Sequence, residues 1–477
     1  MKIKKLKLFF LMALCVGGIL PLAAKVKLPA VLNDNMVLQR NSKVKLWGTT
    51  RPNKEVTITA TWNAGSITTK ADSEGRFSAE VSTSDAGGPY RILFDDGQPV
   101  VVKNILLGDV WVCSGQSNME YPMKGYMGQP NRDGQRYIVK AKASTPIRMF
   151  TVKRQPASHP MNDCKGTWEQ NTSEAVANFS AVAYYYGMNL QEVIDVPIGL
   201  INTSWGGTLI ETWMSQKRVN KFIEKPVIFP ADASKINRPN DYPSCLYNGM
   251  LTPLKDLTVK GVIWYQGESN RTNYASYEAL LTSFVDQLRT FFNKPNLPFY
   301  YAQIAPFGYN TPFSGACIRE QQLKCAEKLS HVGMAVLMDI GEEKCIHPRY
   351  KHEVGDRLAY LALTDTYGKT GFDSHSPEYE KMKRDGNKIR LFFRYAENGI
   401  STPTGKLTLF EVAGADKVFY PAMAKIVNRN SIEVYSEKVM DPVAVRYAFR
   451  NFVVGELFGN SGLPVSSFRT DDWPLSN

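Results

Sequence analysis

Asp109-Val110-Trp111-Val112-Cys113-Ser114-Gly115-Gln116-Ser117-Asn118-Met119 opens as a short apolar run and closes on a serine carried by a glycine turn. A strand that stops at such a turn offers its serine hydroxyl for reaction instead of burying it for packing. Three other stretches share this setting: Trp205-Gly206-Gly207, Gln266-Gly267-Glu268-Ser269-Asn270 and Ile346-His347-Pro348. Working outward from Ser117, the question is whether one fold brings these four loops together.

From about residue 106 the chain alternates apolar runs with helical patterns. Strands are expected at 107–112, 198–202, 259–265, 299–304 and 333–340, and helices at 183–193, 277–291, 318–329 and 351–363. Strand–helix alternation predicts an α/β fold in three layers, a parallel sheet covered on both faces. Such a sheet places its reactive loops beyond the carboxyl ends of the strands, and all four stretches fall there. The segment 120–180, rich in Gly, Pro, Asn and Lys, fits the alternation poorly and reads as an insertion beside the first loop.

Both flanks read as β. In Val56-Thr57-Ile58-Thr59-Ala60 apolar residues alternate with threonines, as do Phe77, Ala79 and Val81 with polar neighbours. Pro52-Asn53 and Ser73-Glu74-Gly75 supply turns, so 25–105 is expected to be a β-sandwich-like domain. After about 385 the alternation returns, with Val443, Val445, Tyr447 and Phe449 on one face. The expected division is thus 25–105, 106–384 for the hydrolase unit, and 385–477. The last segment is read either as a separate module or as packing with the N-terminal β domain.

The chain has 477 residues, enough for two or three domains. Lys2, Lys4, Lys5 and Lys7 precede the apolar run 8–24, which ends Leu22-Ala23-Ala24. This is the pattern of a signal peptide cut near Ala24, so residues 1–24 are expected to be removed and the protein exported to the periplasm or beyond. Gly17, Gly18 and Pro21 make the run a poor membrane anchor. Loss of those four lysines takes the formal charge from +12 to +8. The remaining basic residues are dispersed, with no arginine-rich, aromatic-interleaved segment, which argues against a nucleic-acid partner. Six of the seven cysteines remain after cleavage, and no Cys-x-x-Cys metal pattern is present.

A serine hydroxyl needs a neighbouring base, most often histidine. Five histidines are available. His331 falls at the entry of a strand, His159 and His375 in polar segments outside the α/β rhythm, and His352 on a helix. His347 lies on the loop itself, stiffened by Pro348, and is the expected base. Glu342 is the expected third member, with Asp339 next and a backbone carbonyl, hence a dyad, as a further possibility. The oxyanion of a tetrahedral intermediate requires placed donors. The amide of Ser117, the Gly206-Gly207 backbone and the Asn270 side chain are the candidates. Glu268 receives no catalytic step. Trp205, Trp213 and Tyr265 flank these loops and suit either a core or a sugar ring.

The block Ser114-Gly115-Gln116-Ser117-Asn118-Met119 resembles the nucleophile block of the SGNH hydrolase superfamily, in its sialate O-acetylesterase branch. Ser204-Trp205-Gly206-Gly207-Thr208, Trp264-Tyr265-Gln266-Gly267-Glu268-Ser269-Asn270 and Ile346-His347-Pro348 with Lys351 are similar to the later blocks in order. Asn35-Met36-Val37-Leu38-Gln39-Arg40 and Phe468-Arg469-Thr470-Asp471-Asp472-Trp473 extend the likeness to both β flanks. The Asp-x-x-His pairing of the superfamily is absent, because Lys344 stands three residues before His347.

The resemblance implies removal of O-acetyl groups from sialic acids with Ser117 as nucleophile and His347 as base, without metal or other cofactor. The partner is then an O-acetylated sialic acid or another acetylated glycan. A sialate carboxylate asks for a pocket cation, for which Lys124, Arg349 and Lys351 are candidates. An acetylesterase for xylan or another polysaccharide is the alternative within esterases. An exported, non-catalytic glycan-binding protein is the alternative outside them.

Overall fold

The computed structural model describes residues 25–475; the expected signal peptide lies outside them. Among the described residues, thirteen strands lie between Val37 and Ala335. They are β1 (Val37–Gln39), β2 (Lys43–Thr49), β3 (Glu55–Ala60), β4 (Ser66–Lys70), β5 (Arg76–Ser82), β6 (Gly87–Asp95) and β7 (Val100–Gly115). After these come β8 (Ile147–Thr151), β9 (Trp168–Gln170), β10 (Ile198–Ser204), β11 (Gly261–Tyr265), β12 (Phe299–Ala302) and β13 (Val332–Ala335).

The central sheet has the order β13-β12-β11-β7-β10-β8-β9. Its pairings are parallel from β13 to β8, and β9 closes the edge antiparallel to β8. Every residue of β10 and β11 is buried, as is β7 from Ile105 onward. A strand covered on both faces has no polar side to show, which is why these segments read as unbroken apolar runs. Helices Ala181–Ile194 and Lys351–Asp365 pack against each other on the sheet, and Tyr277–Phe291 packs against Ser314–Lys328.

β7 is 16 residues long and belongs to both architectures. Its first half pairs with β1 and, antiparallel, with β6; its second half is the middle of the parallel sheet. β3 and β4 extend β6, while β2 and β5 pair separately. The chain thus enters the central sheet without a linker, and one apolar core runs from Val44 and Leu46 to Val262 and Trp264.

One expectation is corrected here. The segment 120–180 is more than an insertion: it supplies β8 and β9, which widen the sheet beyond β10. Its apolar signal was short, because Arg148 interrupts Ile147–Thr151 and only four of those five residues are buried. The C-terminal β segment does not hydrogen-bond to the N-terminal β region among the described residues. It holds the other edge of the sheet, through Arg469 to Glu320 at 2.8 Å, Arg319 to Ser467 at 3.1 Å and Gln303 to Ser466 at 2.8 Å. Together with the strand Glu378–Asp385, which begins before the expected boundary, this segment forms two four-stranded antiparallel sheets and one two-stranded pair. Among the described residues no helix is long and apolar enough to cross a membrane, and the six cysteines are free.

Candidate active site

β7 ends at Gly115, whose φ of 143° and tight surroundings admit no side chain: a Cβ there meets the Tyr265 carbonyl oxygen at 2.1 Å. The turn is clamped from both sides, by Gln116 N–H donating to Tyr265 O at 3.0 Å and Trp205 N–H donating to Gly115 O at 3.1 Å. Ser117 then opens a one-turn helix, Ser117–Glu120, half-buried at the carboxyl edge of the sheet. Its hydroxyl has no protein hydrogen-bond partner among the described residues.

The neighbour of Ser117 ties three loops together. Asn118 is buried and donates from Nδ2 to Glu268 Oε1 at 2.7 Å and to Ile346 O at 3.1 Å, while its Oδ1 accepts from Lys351 Nζ at 2.5 Å. The loop carrying His347 is therefore docked on the turn carrying Ser117, although 228 positions separate Asn118 from Ile346. Lys351 sits between the rings of Tyr121 and Tyr265, at 4.7 and 5.8 Å from their centroids. Burial pushes its ammonium down to about 7, with Glu268 opposing the shift, and burial raises the Glu268 carboxyl.

His347 packs edge-on against Tyr126, with centroids 5.6 Å apart, and beside Tyr121. Its Nδ1 lies 2.8 Å from Gln129 Oε1. An amide oxygen only accepts, so Nδ1 carries the proton and the lone pair sits on Nε2. Burial, and secondarily the charge of Lys351, bring the imidazole down to about 4, so it is neutral throughout the range where a base is useful.

The structure replaces several expected partners. Glu342 does not face His347: its carboxylate takes the backbone N–H, Nε and Nη2 of Arg349 at 2.9, 3.0 and 3.1 Å. Asp339 is held by Arg357 at 2.7 and 2.6 Å. Both carboxylates found an arginine on their own or the next element, and Gln129 occupies the position left open. Gly206 approaches Ser117 closely, a Cβ there falling 3.2 Å from Ser117 Cβ, but its N–H donates to Glu120 Oε2 at 2.8 Å. Asn270 is removed from the oxyanion candidates altogether. It is fully buried, donates to Glu211 Oε2 at 2.8 Å and accepts from Ile210 N–H and Gln266 Nε2, so its amide braces the loop instead. Gly207 stays exposed with a φ of 75°.

Besides Gln129, two further residues gave no signal in the sequence. Gln116 is buried with its Oε1 taking the N–H groups of Gly267 and Ser269 at 3.3 and 3.4 Å, which turns Nε2 away from that loop. Arg154 donates twice to Glu120 Oε1, at 2.8 and 2.6 Å, and lies 5.2 Å above the Trp205 ring. Among the described residues no group of three or more His, Cys, Asp or Glu side chains is placed to hold a metal ion.

Comparison with known proteins gives this arrangement a family. The sequence pattern of a family described as carbohydrate esterase, sialic acid-specific acetylesterase, matches residues 107–364. The chain belongs to this family. The matched segment opens in β7 and closes in the helix Lys351–Asp365, so it carries all four loops. A carbohydrate acetylesterase from Xanthomonas citri is 34% identical and superposes with a TM-score of 0.86, covering 94% of this chain and 100% of its own. Sialate O-acetylesterases from Homo sapiens and Pongo abelii are each 27% identical over 461 residues, covering 88% of this chain and 86% of the relative. The protein is an esterase acting on carbohydrate esters, with the three-layer α/β fold of such enzymes. Of the cations expected to meet a sialate carboxylate, Lys351 of this esterase is buried under Asn118 and Arg349 is paired with Glu342. Lys124 is exposed and donates to Asn178 at 2.7 Å.

Proposed function

We propose that the esterase is exported and removes O-acetyl groups from sialic acids through a Ser-His acyl-enzyme mechanism. The observation that carries the mechanism is the docking of the His347 loop on the Ser117 turn through Asn118, with Nδ1 of His347 fixed by Gln129. Ser117 Oγ attacks the acetyl carbonyl and His347 Nε2 takes its proton. The same imidazolium then protonates the leaving sugar oxygen, and water, deprotonated by Nε2, releases acetate from Ser117. The N–H of Ser117, at the first position of its helix, the Nε2 of Gln116 and the N–H of Gly207 are the proposed oxyanion donors. Each donor of this kind is worth roughly 3–4 kcal/mol in the transition state. Export rests on the sequence pattern of residues 1–24.

Gln129 is the unusual part. A carboxylate beside Nδ1 would favour the imidazolium; a neutral amide orients the ring without adding charge. With His347 brought to about 4, the acid limb of kcat/KM should lie well below 6.5. Gln129→Glu should raise the imidazole pKa and move that limb to higher pH by at least about one unit, since one unit is ~1.4 kcal/mol of added preference for the charged form. A pH–rate profile of both proteins reads this directly, and an unmoved limb removes Gln129 from its assigned place.

A second reading, an acetylesterase for an uncharged polysaccharide such as xylan, is favoured by one observation. Arg154 and Arg349, which border these loops, are already neutralised by Glu120 and Glu342. Acetate release from O-acetylated sialoglycans measured beside acetylated xylan decides between the two. The first reading expects the sialoglycan to be preferred in kcat/KM, and a preference for xylan replaces it with the second.

A further inference from the structure

Away from Ser117, we propose that the esterase binds an extended, carboxylate-bearing glycan chain in a groove between the N-terminal β region and the helical side of the central sheet. The groove is a cavity of about 730 Å³ whose walls include Trp47, Ser78, Lys255 and Asp163. It shares Asn162, Thr252, Lys255 and Asp256 with a second cavity of about 340 Å³ that runs on to Tyr247 and Phe291. The two cavities adjoin through these four residues, with Trp47 lining the first and Tyr247 and Phe291 the second, which gives room for more than one sugar unit.

Trp47 packs against the core and leaves part of its ring facing the groove. Alternation along β2 sends Val44, Leu46 and Gly48 inward and Lys45, Trp47 and Thr49 to the other face. The residue opposite Trp47 on β5 is Ser78, too small to cover an indole. Trp47 is left half-buried at the groove wall, and its ring nitrogen has no protein partner among the described residues. A flat apolar ring with a free polar edge is the usual kind of surface for a ligand that is apolar on one face and hydroxylated at its rim.

Charge decides the class of glycan. Two acids of the wall are already used, Asp256 by Lys45 at 2.9 Å and Asp72 by Arg76 at 2.9 Å. Asp163 accepts the N–H groups of Ala30 and Cys164. Lys27, Lys70 and Lys255 are exposed and have no carboxylate partner among the described residues. With Asp163 set against them the lining keeps a net charge of +2, and an excess of ammonium groups attracts a polyanion. The segment from Arg154 to Asn162 joins this groove to the catalytic rim, where Arg154 meets Glu120 and Trp205. Eight residues reach at most ~29 Å, so a chain held in the groove keeps its neighbouring sugars close to Ser117 and raises their local concentration.

The test is binding without turnover. Ser117→Ala protein is titrated with polygalacturonate and with uncharged xylan by affinity electrophoresis at low and high salt. Retention by polygalacturonate is expected, at least ten-fold tighter than by xylan and weakened by salt. Lys255→Glu and Trp47→Ala, made in the same background, should each weaken it at least ten-fold. Lys217→Glu, an equal charge change on another exposed element, should leave it within two-fold. Equal loss with Lys217→Glu, unchanged binding with Lys255→Glu, or equal retention by xylan overturns the proposal. Because no acetate is read, failure of the proposed reaction in the wild type would leave this result standing, and the converse also holds.

Discussion

Ser117→Ala should lower the turnover of an acetyl ester by about 10⁴-fold or more while the protein melts where the wild type does. The size follows from the role: loss of a nucleophile leaves only the oxyanion donors and substrate binding, which retain a small part of the acceleration. Unchanged stability follows from the geometry. The Ser117 hydroxyl is half-exposed and bonds no protein group among the described residues, so its removal opens no cavity and orphans no partner. The braces of the turn, Gln116 to Tyr265 and Asn118 to Glu268 and Ile346, are untouched. Acetate release read beside a thermal melt tests both halves. A folded variant with more than a few per cent of wild-type turnover contradicts the role given to Ser117.

His347→Ala should cost about 10³-fold or more in kcat, with KM changed by no more than a few-fold. The ring holds no other part of the site: its polar contact is Gln129, and its faces rest on Tyr126 and Tyr121. Removing it leaves a gap bounded by those rings, into which free imidazole fits. Added imidazole should therefore restore part of the activity, and the restored rate should follow the fraction of neutral imidazole as pH is varied. A loss without any rescue, together with a lowered melting temperature, would make His347 a structural residue.

How far these assignments were readable before the fold was known differs from residue to residue. The run Gly261–Tyr265 is buried throughout and announced itself as a sheet interior, and the expected helix 277–291 coincides with Tyr277–Phe291. The expected strand 333–340 stops at Ala335, although Val336, Leu337, Met338 and Ile340 remain buried. Apolar runs report burial, and burial does not require a ladder partner. The meeting of the loops at 117 and 347 was inferable because both follow strands of one parallel sheet.

The partners of the histidine were not legible. Gln129 lies 218 positions from His347 in a Gly-Gln-Pro turn, and no periodicity marks an amide whose use is a single long-range contact. Glu342 was attractive because it is close in sequence, but Arg349 takes it with a backbone N–H and the two donors of its fixed guanidinium fork. Asn270 looked like a donor because it follows Gly267 at the end of a strand. It is spent on Glu211, a carboxylate whose burial demands partners. Side-chain competition of this kind is settled by packing, which composition and spacing do not encode.

The central claim is that Ser117 is made nucleophilic by His347. A fluorophosphonate, which labels only an activated serine, tests it most directly when the adduct is located by mass spectrometry. One adduct per chain is expected, on Ser117, forming at a rate that falls at least 100-fold in His347→Ala. An adduct on another residue, or labelling of Ser117 at an undiminished rate without His347, would contradict the account.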